Sequence, residues 1–386
     1  MWNDYCNIDD NKKITFLNPK EIPHQPQIHH HDEKSALKYL KVSKVILPSI
    51  IGLGVVFWLM SKQLDINELS KLQNNGHTVF WVFIAIVMYF MRHMFYSWRL
   101  RVITDYAFSW WKSMQLIVIW EFSTAVSPTS VGGAGVAFFL LAKEKLPGAK
   151  TITAVLYSMV IDTIFLVMAL ILLYIAIGPV MIRPGMEKFS DIDGFGITFL
   201  TVLTFMFTYG SIFFYGLFIN PRAIKRLLLL VSKFPLLKRF REELRNTAYD
   251  IVTSAVKIKE KPVSFHVKAF TATAGAWTVR FIAINCLILA FVSGFSPQLY
   301  DHFIVFSRGM AMHTIEAFSP TPGASGVAEY LFGGFFSDYI PKGISSLIAL
   351  VWRLIGYYSY LIAGVIIIPI WFRQVSLKNQ FNKASE

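Results

Sequence analysis

Six long apolar blocks constrain this chain more than any other feature. They run Lys44 to Met60, Thr78 to Trp98, Thr151 to Ile177, Gly196 to Ile219, Phe265 to Val292 and Ile344 to Phe372. Each lies near the roughly 20 residues that a helix rising about 1.5 Å per residue needs to cross a hydrocarbon core about 30 Å thick. A chain of 386 residues that is 54% hydrophobic and only 16% charged cannot hide that surface in a water-soluble core. The expectation is an all-α polytopic membrane protein with six full spans.

A net charge of +13 would suggest a nucleic-acid partner in a soluble protein. Here the basic residues lie outside the apolar blocks, so they read as topology signals and as contacts to anionic headgroups, with no nucleic acid. Arg99, Arg101 and Lys112 outnumber Asp105 after the second block, and Lys143, Lys145 and Lys150 outnumber Glu144. By the positive-inside rule both turns are cytoplasmic. The stretch 220–263 threads Arg222, Lys225, Arg226, Lys233, Lys238, Arg239, Arg241 and Arg245 through leucines, as a basic amphipathic linker on the inner leaflet would. Residues 373–386 form a basic tail, and residues 1–42 a polar one without a signal-peptide core. Both termini are therefore expected in the cytoplasm and the chain in the plasma (bacterial inner) membrane. His29, His30 and His31 read as a solvated run in preference to a metal site. With only Cys6 and Cys286 there is no disulfide framework, and no cofactor is expected.

Two stretches interrupt the apolar pattern in the same words. Ala125-Val-Ser-Pro-Thr-Ser-Val-Gly-Gly-Ala-Gly-Val-Ala137 matches Ala317-Phe-Ser-Pro-Thr-Pro-Gly-Ala-Ser-Gly-Val-Ala328 once Val131 is skipped. Pro128, Pro320 and Pro322 lack an N–H, and Gly132, Gly133, Gly135, Gly323 and Gly326 permit unusual backbone, so each stretch is expected to be a helix, a break and a half-helix starting after Gly135 or Gly326. Non-helical backbone at membrane depth survives only where protein or a wet cavity lines it. Both stretches are thus expected to be re-entrant hairpins, with motifs at 125–137 and 317–328, in a first unit over 43–219 and a second over 264–372. The charge alternation gives the units opposite orientation, the inverted repeat of many secondary transporters. Close packing or a kink is the alternative reading of the glycines and prolines.

Charges inside the apolar blocks come next. Asp162 follows Gly135, and Arg353 follows Gly326, by the same 27 residues. A charge at mid-membrane costs about 2.5 to 3.5 kcal/mol, so these two are expected to form an intramembrane pair or to face a substrate. Glu121, Arg280, Asn285, Arg308, Glu316 and Glu329 are further polar intruders, with Arg280 the best placed for a phosphate. Arg92 and His93, near a span's end, are expected to snorkel to the headgroups.

At these residues the chain resembles the transmembrane flippase-like domain of lysylphosphatidylglycerol synthases and its stand-alone relatives. The likeness rests on Ser127-Pro128 with Gly132-Gly133, on Pro320-Thr-Pro-Gly323 with Gly326 and Glu329, and on Arg353, and it covers roughly Lys44 to Phe372. Ala324-Ser325 departs from it where a second glycine is common. In the best-known members this domain is implicated in moving aminoacylated phospholipid between leaflets, while a separate soluble domain makes that lipid. With 14 residues after Phe372, that soluble domain is expected to be absent.

The leading expectation is a lipid flippase or transporter-like protein, not an enzyme. Ser127, Pro128, Gly132, Gly133, Gly135, Arg280, Pro320, Pro322, Gly323, Gly326 and Glu329 would bind an anionic or phosphate-bearing membrane lipid, helped by the half-helix N-termini. A membrane-embedded enzyme is the alternative, but His93, His266, His302 and His313 are dispersed and no H-E-x-x-H cluster occurs. A non-transporting scaffold of a glycolipid or cell-envelope pathway is another. A homo-oligomer or a separate lipid-modifying enzyme stays open as partner.

Overall fold

The computed structural model describes residues 6–8, 14–16, 75–127, 130–191, 194–220, 255–295 and 298–384, with scattered residues between 222 and 252. The block Lys44 to Met60, most of the linker 220–263, the His29 to His31 run and Pro128 lie outside the described residues. Residues 1–41 and 42–386 are separate units. In the first, strand β1 (Cys6–Ile8) pairs antiparallel with β2 (Ile14–Phe16), with Cys6 opposite Phe16.

The described residues of the second unit are helical apart from short connections. Helix α1 (Gly76–Ile103) is followed by α2 (Trp110–Val126), α3 (Ser130–Lys143), α4 (Gly148–Ile177) and α5 (Gly194–Phe214). Then come α6 (Val263–Phe291), α7 (Leu299–Glu316), α8 (Val327–Phe335), α9 (Lys342–Arg353) and α10 (Ser359–Ala384). A wide π turn, Leu354–Tyr358, joins α9 to α10 without interrupting the span. Local chemistry sets the ends. Asn75 and Ser109 cap α1 and α2 by accepting backbone N–H groups, and Pro147, Pro262 and Pro341 stand just before α4, α6 and α9.

Among the described residues, five spans are long and apolar enough to cross a membrane: Gly76–Ile103, Lys150–Ile177, Gly196–Ile219, Val263–Phe291 and Lys342–Val375. They coincide with the last five apolar blocks. The chain is thus an α-helical polytopic membrane protein, and it uses one succession of elements twice. A long helix (α1 or α6) leads to a broken pair (α2 and α3, or α7 and α8) and then to another long span (α4, or α9 with α10).

The most extensive helix contact joins the two leading helices, α1 and α6. They run antiparallel: Thr78 Oγ1 donates to Ala290 O at 3.0 Å near one end, and Arg99 Nη1 donates to Thr273 Oγ1 at 3.3 Å near the other. Between these points Phe95 lies over Gly275, where a Cβ would sit 2.7 Å from the ring. With no aqueous hydrophobic drive between helices in lipid, such close approach is what holds them together. The broken pairs contact reciprocally, α2 packing on α10 and α7 on α4.

The two breaks differ. In the first pair the helix resumes at Ser130, so the expected half-helix after Gly135 is corrected: Gly132, Gly133 and Gly135 all lie inside α3. Gly133 serves packing, not unusual backbone, since a Cβ there would fall 1.9 Å from Thr124 Oγ1 of α2, whereas a Cβ on Gly135 would meet nothing within 4 Å. The second break is longer, and α8 begins after Gly326 as expected. Its backbone turns left-handed at Gly323 (φ 56°), Ala324 (φ 54°) and Gly326 (φ 83°). The physical difference is one residue. Ser130 opens α3, whereas Pro322, its counterpart, opens only a single 3-10 turn, Pro322–Ala324, which the left-handed backbone of Gly323 ends.

Both pairs fold back as hairpins whose turning points lie level with the middles of the spanning helices. Tyr357, midway along Lys342–Val375, donates from its hydroxyl to Ala125 O at 3.2 Å, and neighbouring Gly356 lies against Tyr89, midway along α1. Far from the breaks, Arg308 is 1% exposed and ties α7 down. It holds Asp338 at 2.6 Å and donates to Val180 O at 3.0 Å.

At the opposite end, basic connections cluster around acids. Asp105 accepts from Lys261 and pairs with Lys150 at 3.0 Å, while Glu144 takes Lys112 at 2.5 Å and Trp371 Nε1 at 2.6 Å. Burial raises the Asp105 pKa, but the hydrogen bonds from Lys261 and Lys150 outweigh it and hold the carboxyl below its usual value.

Candidate functional site

The buried residues of α1 include Ala85, Tyr89, Arg92, Tyr96, Arg99 and Ile103, a stripe at helical spacing that puts two arginines on the inward face. Arg92 therefore does not snorkel, which corrects the expectation for it and for His93. It is 4% exposed, binds Glu121 of α2 at 2.6 Å and stacks on Tyr96 and Tyr360. His93, also buried, meets the Tyr360 hydroxyl at 3.2 Å.

Arg99, one heptad on from Arg92, belongs to α1 and not to the following turn. It binds Asp162 of α4 at 2.6 Å, and Asp162 also accepts from Trp277 Nε1 at 2.8 Å. Asp162 and Arg353 consequently do not pair with each other, and the expected intramembrane pair is corrected. Their shared spacing places them at equivalent points of the two units, but each finds a nearer counter-charge. For Arg353 that is Glu329, with Nε 3.1 Å from Oε1.

Arg353 braces the second break. Nη1 donates to Gly323 O at 2.7 Å, Nη2 donates to Ser325 Oγ at 3.0 Å, and the guanidinium lies 3.9 Å over the Tyr357 ring. Glu329 reaches back and accepts the Gly326 N–H at 2.6 Å. The positive end of α8 is thus closed by a carboxylate of the chain, so it does not offer itself to a ligand as the sequence suggested.

Around these groups opens a half-enclosed cavity of about 820 Å³, its mouth included. Glu121, Thr124, Ala125 and Ser127 line it from the first hairpin, and His313, Glu316, Ser319, Thr321, Gly323 and Ala324 from the second. The long helices add Tyr89, Arg92, Arg280, Trp352, Arg353, Tyr357 and Tyr360. Arg280 lies with its guanidinium 5.3 Å from the Trp277 ring centroid and donates from Nη2 to His313 Nδ1 at 3.2 Å. Among the described residues no carboxylate lies within ion-pair distance of it. Arg92 and Arg353 are already neutralised, so Arg280 is the cationic side chain of the cavity with charge to offer an anion.

Of the residues that the sequence assigned to binding or to the charge pair, Ser127, Arg280, Gly323 and Arg353 line the cavity. Glu329 and Gly326 stand behind Arg353, Pro320 and Pro322 lie in the second break, and Gly132, Gly133 and Gly135 lie within α3, where Gly133 packs on Thr124. Sequence reasoning missed Arg92, and it left Glu121, His313 and Glu316 without partners. The helical spacing of Arg92 to Tyr89, Tyr96 and Arg99 was the available signal.

Spanning helices around a cavity lined by charged and aromatic side chains, with two broken hairpins turning back inside it, define an α-helical polytopic membrane protein. The chain belongs to the lysylphosphatidylglycerol synthase transmembrane-region family, whose profile matches residues 45–364. It is similar to a UPF0104 membrane protein of Archaeoglobus fulgidus, 23% identical over 339 residues, which cover 83% of this chain and 94% of that protein. No solved structure matches.

Proposed function

We propose that the protein binds an anionic, phosphate-bearing lipid headgroup in the central cavity and passes the lipid between leaflets. The observation that carries this reading is Arg280, a guanidinium without a carboxylate partner among the described residues, where the two hairpins meet. A charge kept at that depth needs a counter-charge or a watery ligand site. The surrounding Trp277, Tyr89, Tyr357 and Tyr360 offer apolar ring faces beside it.

Movement is supported by the packing. The equivalent helices α1 and α6 run antiparallel and the broken pairs exchange contacts, as a two-fold axis in the membrane plane requires. Two inverted units of near-equal build can trade an outward-open for an inward-open packing around a fixed site. The gathering of Arg101, Lys112, Lys150 and Lys261 at one end supports a cytoplasmic placement of that end, with both termini inside and the chain in the plasma membrane.

The test is lipid exchange by the purified full chain in vesicles containing fluorescently labelled phosphatidylglycerol, read by chemical quenching of the outer leaflet. Faster loss of the inner-leaflet signal than in protein-free vesicles is expected. Removing a charge-assisted hydrogen bond worth about 1.5 to 3 kcal/mol, Arg280→Gln should weaken lipid binding about 10- to 100-fold. Lipid binding with no exchange above the protein-free rate would replace transport by a scaffolding role.

A further inference from the structure

Glu316 ends α7 where the second break begins, and it is 8% exposed. Among the described residues its Oε1 has no hydrogen-bond partner, while Oε2 lies 3.4 Å from His313 Nδ1. The same Nδ1 accepts from Arg280 Nη2 at 3.2 Å. A guanidinium only donates and a carboxylate only accepts. Nδ1 can therefore meet Arg280 with its lone pair or Glu316 with a proton, but not both at once. The imidazole is a two-position element, and Arg280 decides the position.

We propose that His313 takes up a proton when an anion engages Arg280, so that the protein loads its anionic headgroup and a proton together. The proposal rests on the lipid-binding reading above. An anion in the cavity draws the Arg280 N–H groups to itself, because a hydrogen bond between two ions is stronger than one to a neutral imidazole. The Nδ1 lone pair is then released and takes a proton from water on the side to which the cavity is open. The new N–H donates to Glu316 Oε2, and the imidazolium rests between that carboxylate and the bound anion. By linkage, protonation tightens anion binding in return.

The other charges near His313 are matched elsewhere. Arg92 of α1 is held by Glu121 of α2, and Arg353 of α9 by Glu329 of α8. Asp162 of α4 is held by Arg99 and by Trp277 of α6, whose ring lies 4.9 Å from the imidazole. Tyr89 of α1 and Tyr209 of α5 are phenols, uncharged near neutrality. Arg280 and Glu316 are left as the two charges that act on His313 directly, and they have opposite signs.

The experiment is calorimetric titration of the full chain in detergent with dioctanoyl phosphatidylglycerol, near neutral pH, in two buffers of different ionisation enthalpy. The difference between the two heats reads the protons taken up per lipid bound. Wild type is expected to take up as much as about one proton, with affinity rising up to about tenfold per unit fall in pH. His313→Gln should bind the lipid with that uptake lost. Glu316→Gln, which keeps the imidazole, should diminish it and serves as the comparison if His313→Gln does not fold. Binding by wild type without proton uptake overturns the proposal and leaves the lipid reading standing. No binding at all overturns both. Undiminished uptake in His313→Gln, or in Glu316→Gln if that is the variant that folds, also overturns it.

Discussion

The exchange of partners between Asp162 and Arg353 lends itself to a double-mutant cycle. Asp162 holds Arg99 at 2.6 Å and accepts from Trp277 Nε1 at 2.8 Å, and the Arg99 side chain is 9% exposed against 23% for Asp162. Breaking a buried pair by removing one partner costs about 3 to 5 kcal/mol, because the survivor is left uncompensated. The partial exposure of Asp162 lowers that, so about 2 to 4 kcal/mol is expected for Arg99→Gln. Asp162→Asn should cost less, since the amide oxygen still accepts from Trp277. The double variant Arg99→Gln/Asp162→Asn should be more stable than the sum of the two losses by about 1 to 3 kcal/mol. Asp162→Asn with Arg353→Gln, sharing no partner, should instead add within about 0.5 kcal/mol. Equilibrium unfolding of the purified chain in mixed detergent, followed by tryptophan fluorescence, measures all four corners of each cycle. Additivity for Arg99 and Asp162, or coupling between Asp162 and Arg353, would refute the assignment of partners.

The second break offers an asymmetric pair: Gly323→Ala should destabilise the same unfolding transition by more than about 1 kcal/mol, since its Cβ would fall 2.0 Å from the Tyr357 ring. Ala324→Gly should be neutral or stabilising within about 1 kcal/mol, because it relieves a left-handed alanine while loosening the unfolded chain. The lysine clamp on Asp105 makes a statement about pH. Its carboxyl is held below the ordinary value, so the contribution is present above the unfolded pKa of about 3.9 and is lost as pH falls through the folded one. Asp105→Asn should therefore be less stable than wild type at neutral pH, and the gap should close in acid titration of unfolding. Finally, single cysteines at Ser127 and Thr321, in a chain lacking Cys6 and Cys286, should be modified by the same small aqueous maleimide from a shared side. Modification of the two only from opposite sides would deny that they line one cavity.

How much of this could be read beforehand depended on the kind of force involved. The spans were legible because crossing lipid demands a run of apolar residues, and α1, α4, α5, α6 and α9 with α10 answer to blocks visible in the chain. The second break was legible too, because Pro322 and Gly326 act through their own backbone, whereas the first was placed too far on, since α3 resumes at Ser130 and runs through Gly135. Pairing was not. Asp162 and Arg353 stand in register, and register measures position along a repeat, not the distance to a third residue such as Arg99 or Glu329. The role of Gly133 was hidden for the same reason: its meaning lies in Thr124, on the other arm of the hairpin. Arg92 was misplaced because its distance from a helix end was weighed and its rotational phase was not.

The meeting of both hairpins at mid-length has an electrical consequence. Where water fills a cavity, the transmembrane voltage hardly falls, so it drops across whatever dry layer remains. In a closed helix bundle that layer is the whole hydrocarbon thickness of about 30 Å. Water in the cavity of this protein would thin that layer, from the side to which the cavity opens, down to the turns around Ser127 and Thr321. Carrying one elementary charge through the full voltage is worth about 2.3 kcal/mol per 100 mV. Concentrated over a thinner layer, that work is done in less travel, so a charged group stepping past Thr321 would meet the membrane voltage as a steeper step than in a closed bundle.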